Sequence, residues 1–269
     1  MRQKALSGLI EKEASLRLLD SATSERDKAR LNCVSREGSG DWLTALPSKA
    51  LGLHLRMSEF ILAVRYRLGL PIFLQEGDCP MNRCRGFGDK FGDHAISCAI
   101  NGERIAKHNH VRDAIFAAAS QAALGPRKEP AGLLPGSDDR PADVLLPFWA
   151  NGKDAALDVS VVNPLQQQLA GQVAREGANG VQHAFNIKMG KYSERCKAEG
   201  IVFIPLVVGR FGKWYKDAVE VITQAGEAHG EGGGGDNNEA AERLGGLLGR
   251  NSTAQYKTQV NLSLLQDLF

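Results

Sequence analysis

The sequence predicts an α/β chain whose core elements run αβββαβ, preceded by helices and interrupted by a glycine-rich cysteine segment. Three observations carry that expectation. KEPAGLL, ADVLLPFW and AALDVSVV, between residues 128 and 162, are short runs rich in apolar and β-branched residues, separated by PGSDDRP and ANGKD. Such runs divided by turn clusters read as strands in a meander. Segments of helical period flank them, from about Glu103 to Leu124 and again over 181–198. IVFIPLVVG (201–209) is a continuous apolar run suited to a fully buried strand, and FGKWYKDAVEVITQA after it reads as a further helix.

Residues 1–34 read as two helices, the first with Ala5, Leu6, Leu9 and Ile10 on one face that needs a partner, the second capped by Thr23 or Ser24. GSGDWLTALPS (38–48) is a loop anchored by Trp42 and Leu46, and SEFILAVRYRLGL (58–70) a helix capped by Ser58 and stopped at Gly69. The expected organisation is therefore a helical region (1–72), a cysteine-rich module (73–101), a sheet domain (102–226), a flexible glycine-rich linker (227–239) and a short helical tail (240–269).

Composition bounds the function. A chain of 269 residues with 43% apolar content buries one core of ordinary size. No apolar run approaches the roughly 20 residues that span a bilayer, and Arg2, Lys4, Glu11, Glu13 and Arg17 break up any signal-peptide core, so a soluble intracellular protein without a membrane partner is expected. Five cysteines are odd in number and too sparse for a disulfide framework, and read as thiols or metal ligands. The net charge of +2 hides an asymmetry: Arg56 to Lys128 holds eleven Lys/Arg against seven Asp/Glu, whereas Asp217 to the end holds three against eight. A basic middle suits a polyanion, and the alternative is a mixed, solvated surface.

Cys79, Cys84, His94 and Cys98 form C-x4-C-x9-H-x3-C, two close pairs across a loop in which Gly86, Gly88 and Gly92 permit sharp turns. Three thiolates and an imidazole suit tetrahedral zinc in a structural role, since all four positions are filled and none is left for water. The alternative is three unrelated thiols and a surface histidine, which leaves the order of a segment so poor in apolar residues unexplained.

Three acids form a second set: Glu129 at the start of the first strand, Asp143 at the start of the second, and Asp158 in the middle of the third. An ionised carboxylate within an apolar strand is costly without a cation or donors, and Asp158 lies on the face opposite Leu157, Val159 and Val161. In a meander these acids can converge on one Mg2+. Taken singly, Glu129 and Asp143 also fit turn or cap carboxylates. In the following helix Lys188 falls on the apolar stripe of Val181, Phe185, Tyr192 and Cys196, with Lys191 on its flank. Such a lysine either stabilises charge beside the carboxylates or snorkels to water.

The cysteine knuckle, the tripeptide Lys107-His108-Asn109 opening a helix, and then KEP, RPAD, LDVSVV and KMGKY in that order resemble the C-terminal region of early-branching, site-specific non-LTR retrotransposon polyproteins. In those polyproteins a knuckle of Cys-Cys-His-Cys type precedes a restriction-like endonuclease of the PD-(D/E)xK superfamily. The resemblance spans roughly residues 40–225 and implies a restriction-endonuclease-like αβββαβ core with Asp143 and Asp158 as the two acids and Glu129 as an additional upstream acid. The superfamily's lysine is expected two residues after the second acid, where this chain has Ser160, and its function moves to Lys188 or Lys191 with Tyr192 alongside. The resemblance further implies structural zinc, catalytic Mg2+ or Mn2+, a nuclear location, and DNA, element RNA and a related reverse transcriptase as partners. Phosphate contacts are expected from Arg65, Arg67, Arg83, Arg85, Lys107, His108, Asn109 and Arg112. The 78 residues before Cys79 are too few for a polymerase domain. Two readings compete: a nicking enzyme, and a catalytically inactive knuckle protein that binds nucleic acid.

Overall fold

A computed structural model describes residues 3–36, 38–44, 54–100, 102–121, 124–176 and 180–215. Helices α1 (Gln3–Ser21), α2 (Glu25–Val34) and α3 (Met57–Leu68) lead into a small hairpin of β1 (Gly77–Asp78) and β2 (Phe87–Gly88), closed by α4 (Asp93–Ser97). Then come α5 (Glu103–Gln121), β3 (Arg127–Lys128), β4 (Val144–Ala150), β5 (Lys153–Val162), α6 (Gln167–Glu176), α7 (Gly180–Ala198) and β6 (Val202–Gly209). The larger sheet is mixed, in the order β3-β4-β5-β6, with β5 and β6 parallel and the other pairs antiparallel. The chain is thus α/β, and α6 is an addition to the expected order.

The β4–β5 hairpin turns at Asn151 and Gly152, both at positive φ (51° and 72°), the conformation that an Asn-Gly turn favours. A bulge between Leu146 and Ala150 places Phe148 at φ 52°. Alternation along β5 divides the core by sheet face. Leu157 and Val159 pack with Val111, Ile115 and Ala119 of α5, whereas Ala156 joins Leu145, Phe203 and the α7 residues Tyr192 and Cys196. Asp158 therefore belongs to the α7 face.

Several expected elements change. The first strand shrinks to two residues, because Glu129 turns away at φ 45° and Pro130 has no N–H to donate. The glutamine- and glycine-rich stretch after β5 contains a helix, α6, whose Leu169, Ala170, Val173 and Ala174 pack with α2 residues; Asn32 Nδ2 donates to Val173 O at 3.1 Å. Past β6 the chain folds back instead of entering a helix at once: Trp214 bridges Val208 and Tyr215 N–H donates to Val207 O at 2.9 Å. The remainder of that expected helix, the linker 227–239, the tail 240–269 and Leu46 lie outside the described residues. Ser24 caps α2 as expected, but α3 begins two residues early, because the Glu59 carboxylate reaches back to the Arg56 N–H at 2.7 Å. Leu6, Leu9 and Ile10 of α1 remain exposed, so the partner expected for that face is not among the described residues. No described helix is long and apolar enough to cross a membrane.

A second apolar cluster crosses the expected boundaries at 72 and 101, combining Ala29, Trp42, Ala63, Tyr66, Ile96, Leu165, Val173 and Phe211. Arg26 forms a two-pronged ion pair with Asp93 and stacks over Phe91 at 4.0 Å. Asn163 Nδ2 donates to Ser97 Oγ at 2.5 Å and Arg210 Nη2 to Ile96 O at 3.2 Å. The cysteine segment is thereby fastened to the N-terminal helices and to the end of the large sheet.

Gly69 ends α3 at φ 73°, and a Cβ there would stand 2.5 Å from Arg30 Nε, whose guanidinium is fixed on Arg67 O at 2.8 Å and on Asp27 at 3.1 Å. Gly69→Ala should lower unfolding free energy by about 1–3 kcal/mol from backbone strain and clash together, a loss that urea denaturation measures.

Candidate functional site

Two clusters carry chemistry. In the first, the ligand atoms of Cys79, Cys84, His94 and Cys98 all lie within 4.8 Å of one another. Cys79 and Cys98 sulfurs are 3.9 Å apart, Cys98 and Cys84 sulfurs 3.7 Å, and Cys84 Sγ lies 3.5 Å from His94 Nε2. Thiolates about 2.3 Å from a tetrahedral metal ion are separated by about 3.8 Å, so the four residues can hold a metal ion with side-chain shifts of about 1 Å at most. Asp89, which the sequence reading did not single out, holds the main chain around His94: its carboxylate accepts from the N–H groups of Phe91, Asp93 and His94 at 2.9, 3.2 and 2.8 Å. The signal was an Asp in a glycine-flanked turn, GDKFG, ahead of the histidine. Cys33 and Cys196 stand elsewhere, and burial pushes the Cys33 thiol up to about 12.

The second cluster lies where β4 and β5 meet α5 and α7. Asp143, one residue before β4, brackets Asp158: its N–H donates to Leu157 O at 2.8 Å, and its Oδ2 accepts from Val159 N–H at 2.6 Å. Asp158 is 4% exposed, and Lys188 Nζ stands 2.9 and 2.8 Å from its two oxygens. Burial pushes its carboxyl up to about 6, against the pull of Lys188 and with a further push from Asp143. His108 Nε2 lies 3.1 Å from Asp143 Oδ1, and that hydrogen bond holds the imidazole above its usual range.

Of the three acids expected to share a cation, two come together and one does not. Glu129 is beside Asp143 in the ladder, donating its N–H to Asp143 O at 2.9 Å, but its carboxylate is paired with Arg112. Arg112 is itself buried and also held by Asp113 at 2.8 Å. Glu129 is thus already neutralised as a possible ligand. The two lysines divide as well. Lys188 meets Asp158, whereas Lys191 pairs with Asp139 at 3.1 Å and lies over the Tyr192 ring at 4.6 Å. Arg195 joins it, and together they hold the Asp139 carboxyl down at about 2.

The expected phosphate contacts are largely redirected. Lys107 is 1% exposed, on the same i, i+4 stripe as Val111, Ile115 and Ala119, a spacing visible in the sequence. His108 and Arg112 point to Asp143 and Glu129. Arg67 donates to Ser39 O and Val34 O at 2.8 and 3.1 Å, and Arg65 to Pro71 O at 2.9 Å, so both are engaged in closing loops. Asn109 is half-buried, while Arg83 and Arg85 are exposed on the cysteine segment.

A Cβ on Gly86 would stand 2.1 Å from His94 Cε1. Gly86→Ala should therefore expel the imidazole from the set, and elemental analysis of purified protein should show metal content falling from about one ion per chain to well below half. Asp158 gives a second expectation. With a folded pKa of about 6 and an unfolded value near 3.9, the folded chain keeps a proton that the unfolded chain loses, so stability declines as pH rises between those values and is level above them. In chelator, Asp158→Asn should remove that decline and raise stability at pH 7.5 by up to about 3 kcal/mol, with little change at pH 4. Denaturant curves at the two pH values measure it.

Compared with known proteins, the chain matches no family model and no curated sequence.

Proposed function

We propose that the chain is a metal-dependent DNA endonuclease module of the PD-(D/E)xK type, resembling the endonuclease end of site-specific non-LTR retrotransposon polyproteins. The observation that carries this reading is the bracketing of Asp158 by Asp143 across adjacent strands, with the Lys188 ammonium against the second acid. The mixed four-stranded sheet between α5 and α7, with its last strand parallel, supports a restriction-endonuclease-like core.

Two carboxylates with waters satisfy Mg2+; Lys188 engages both oxygens of Asp158, so the ion would take over part of that contact, and a buried carboxyl raised by desolvation gains from a cation beside it. Asp143 and Asp158 would hold the ion. Bound there, Mg2+ or Mn2+ supplies Lewis acidity and a water of lowered pKa. The chain's own residues do the positioning. Val159 N–H fixes one oxygen of Asp143, and the packing of α7 fixes Lys188. The Lys188 side chain is 30% exposed, so its ammonium can exchange part of its contact with Asp158 for a phosphate oxygen. Ser160 cannot supply that charge, and Lys188 supplies it from the helix. Zinc is our assignment for Cys79, Cys84, His94 and Cys98, with no open position for water and hence a structural role. Arg83 and Arg85 on that segment are exposed cations that can meet a DNA backbone.

Supercoiled plasmid incubated with the protein in Mg2+ or Mn2+ should be nicked, and the Asp143→Ala, Asp158→Ala double variant should leave it intact. Lys188→Ala should lower the rate by about a hundredfold with DNA affinity nearly unchanged, as for a donor acting mainly in the transition state. Lys191→Ala should have the smaller effect on rate. DNA binding without nicking by the wild-type chain would leave the binding-protein reading in place of this one.

A further inference from the structure

We propose that His108 is a positioning residue of the carboxylate site: by donating from Nε2 to Asp143 Oδ1 it fixes the plane of that carboxylate and sets the affinity for the divalent cation. The inference rests on the endonuclease reading above and deepens it. Asp143 stands just before β4, outside the regular ladder, and its side chain is 17% exposed. It has two anchors. Oδ2 is tied to the Val159 main chain at 2.6 Å, and Oδ1 to His108 at 3.1 Å. A carboxylate with the first anchor alone can swing about it; with both, its plane is defined. Each carboxylate oxygen offers two lone-pair directions, so Oδ1 can accept from the imidazole and still face a cation. Outer hydrogen bonds of this kind orient ligating carboxylates and are commonly worth a factor of about 10–100 in metal affinity. Donation from Nε2 is available to the neutral Nε2–H tautomer and to the imidazolium alike, so the role does not depend on charge.

The placement argues against a packing role. Lys107, the residue before it, and Val111 fill the buried side of α5, whereas the His108 side chain is 32% exposed. One turn further along, Arg112 engages Glu129, the acid next to Asp143 in the ladder. Successive turns of α5 thus sort two adjacent acids. One is presented, and the other is neutralised.

The test uses the zinc-loaded full chain titrated with Mn2+, free ion being read by electron paramagnetic resonance, for wild type, His108→Ala, His108→Gln and, as control, Asp158→Asn. His108→Ala should weaken Mn2+ binding about tenfold or more. His108→Gln, whose amide can donate from a similar reach, should stay within about threefold of wild type. In the nicking assay the Mn2+ concentration for half-maximal rate should rise by the same factor in His108→Ala, with a smaller change in rate at saturation. Zinc content and thermal midpoint report folding, and His108→Leu replaces His108→Ala if lost packing lowers the thermal midpoint. Unchanged Mn2+ affinity in His108→Ala, or equal weakening in His108→Gln and His108→Ala, overturns the role given to His108. Wild-type protein with no Mn2+ binding that Asp158→Asn removes overturns the endonuclease reading itself.

Discussion

A carboxylate in the middle of a buried strand is the constraint to which the surrounding elements answer. Asp158 lies between Leu157 and Val159 and pairs with Pro205 across the parallel ladder, so its backbone is fixed on both sides. Its charge then needs a partner from outside the sheet, because burying an isolated carboxylate costs several kcal/mol even after relaxation. Helix α7 provides one through simple geometry. Tyr192 and Cys196 pack in the cluster of Ala156, two residues before Asp158. One four-residue step along a helix, about 6 Å, nearly equals a two-residue step along a strand, about 6.6 Å. Setting Tyr192 and Cys196 into the apolar cluster therefore sets Lys188 over Asp158.

The cysteine set depends on a similar coupling between packing and charge. Arg26 of α2 pairs with Asp93, the residue before the His94 ligand, and the pair is largely out of water. Burial alone pushes the Asp93 carboxyl upward, and the guanidinium works against it. The apolar cluster beneath joins Ala29, Ile96, Val173 and Phe211 from four parts of the chain. Order in the knuckle and order in the N-terminal helices thus share one set of contacts, although the sequence reads as consecutive modules.

What was legible in the sequence follows from local rules. Alternation in AALDVSVV gave the face of Asp158, helical spacing put Lys188 on the stripe facing the sheet, and the cysteine spacing outlined a closed set of four ligand atoms, all of which the described geometry bears out. Asn-Gly punctuated the hairpin. The illegible part was tertiary. Helix α5 turns polar residues inward, so Lys107, His108 and Arg112 looked like a basic surface until Lys107 proved buried and the acids facing His108 and Arg112 were placed. Glu129 could be put on a strand but not assigned a partner, and Pro130 ended that strand sooner than its apolar neighbours implied. Helix α6 was hidden because glutamine, glycine and alanine dilute its apolar face, which becomes evident only against α2.

The parallel pairing of β5 with β6 has a consequence for the order of folding. The β4–β5 hairpin closes through a two-residue turn, so the main-chain contacts around Asp143 and Asp158 form through nearby chain. The Ala155 to Val202 pairing must instead close a far longer loop, at an entropic cost that slows such contacts. Helix α7, with Lys188, lies inside that loop. In the folded chain Asp158 is covered by two elements of that one loop, β6 along its strand edge and α7, through Lys188, on its face. The strand that completes the burial of Asp158 and the helix that carries its countercharge are joined in sequence, so closing that one loop supplies both.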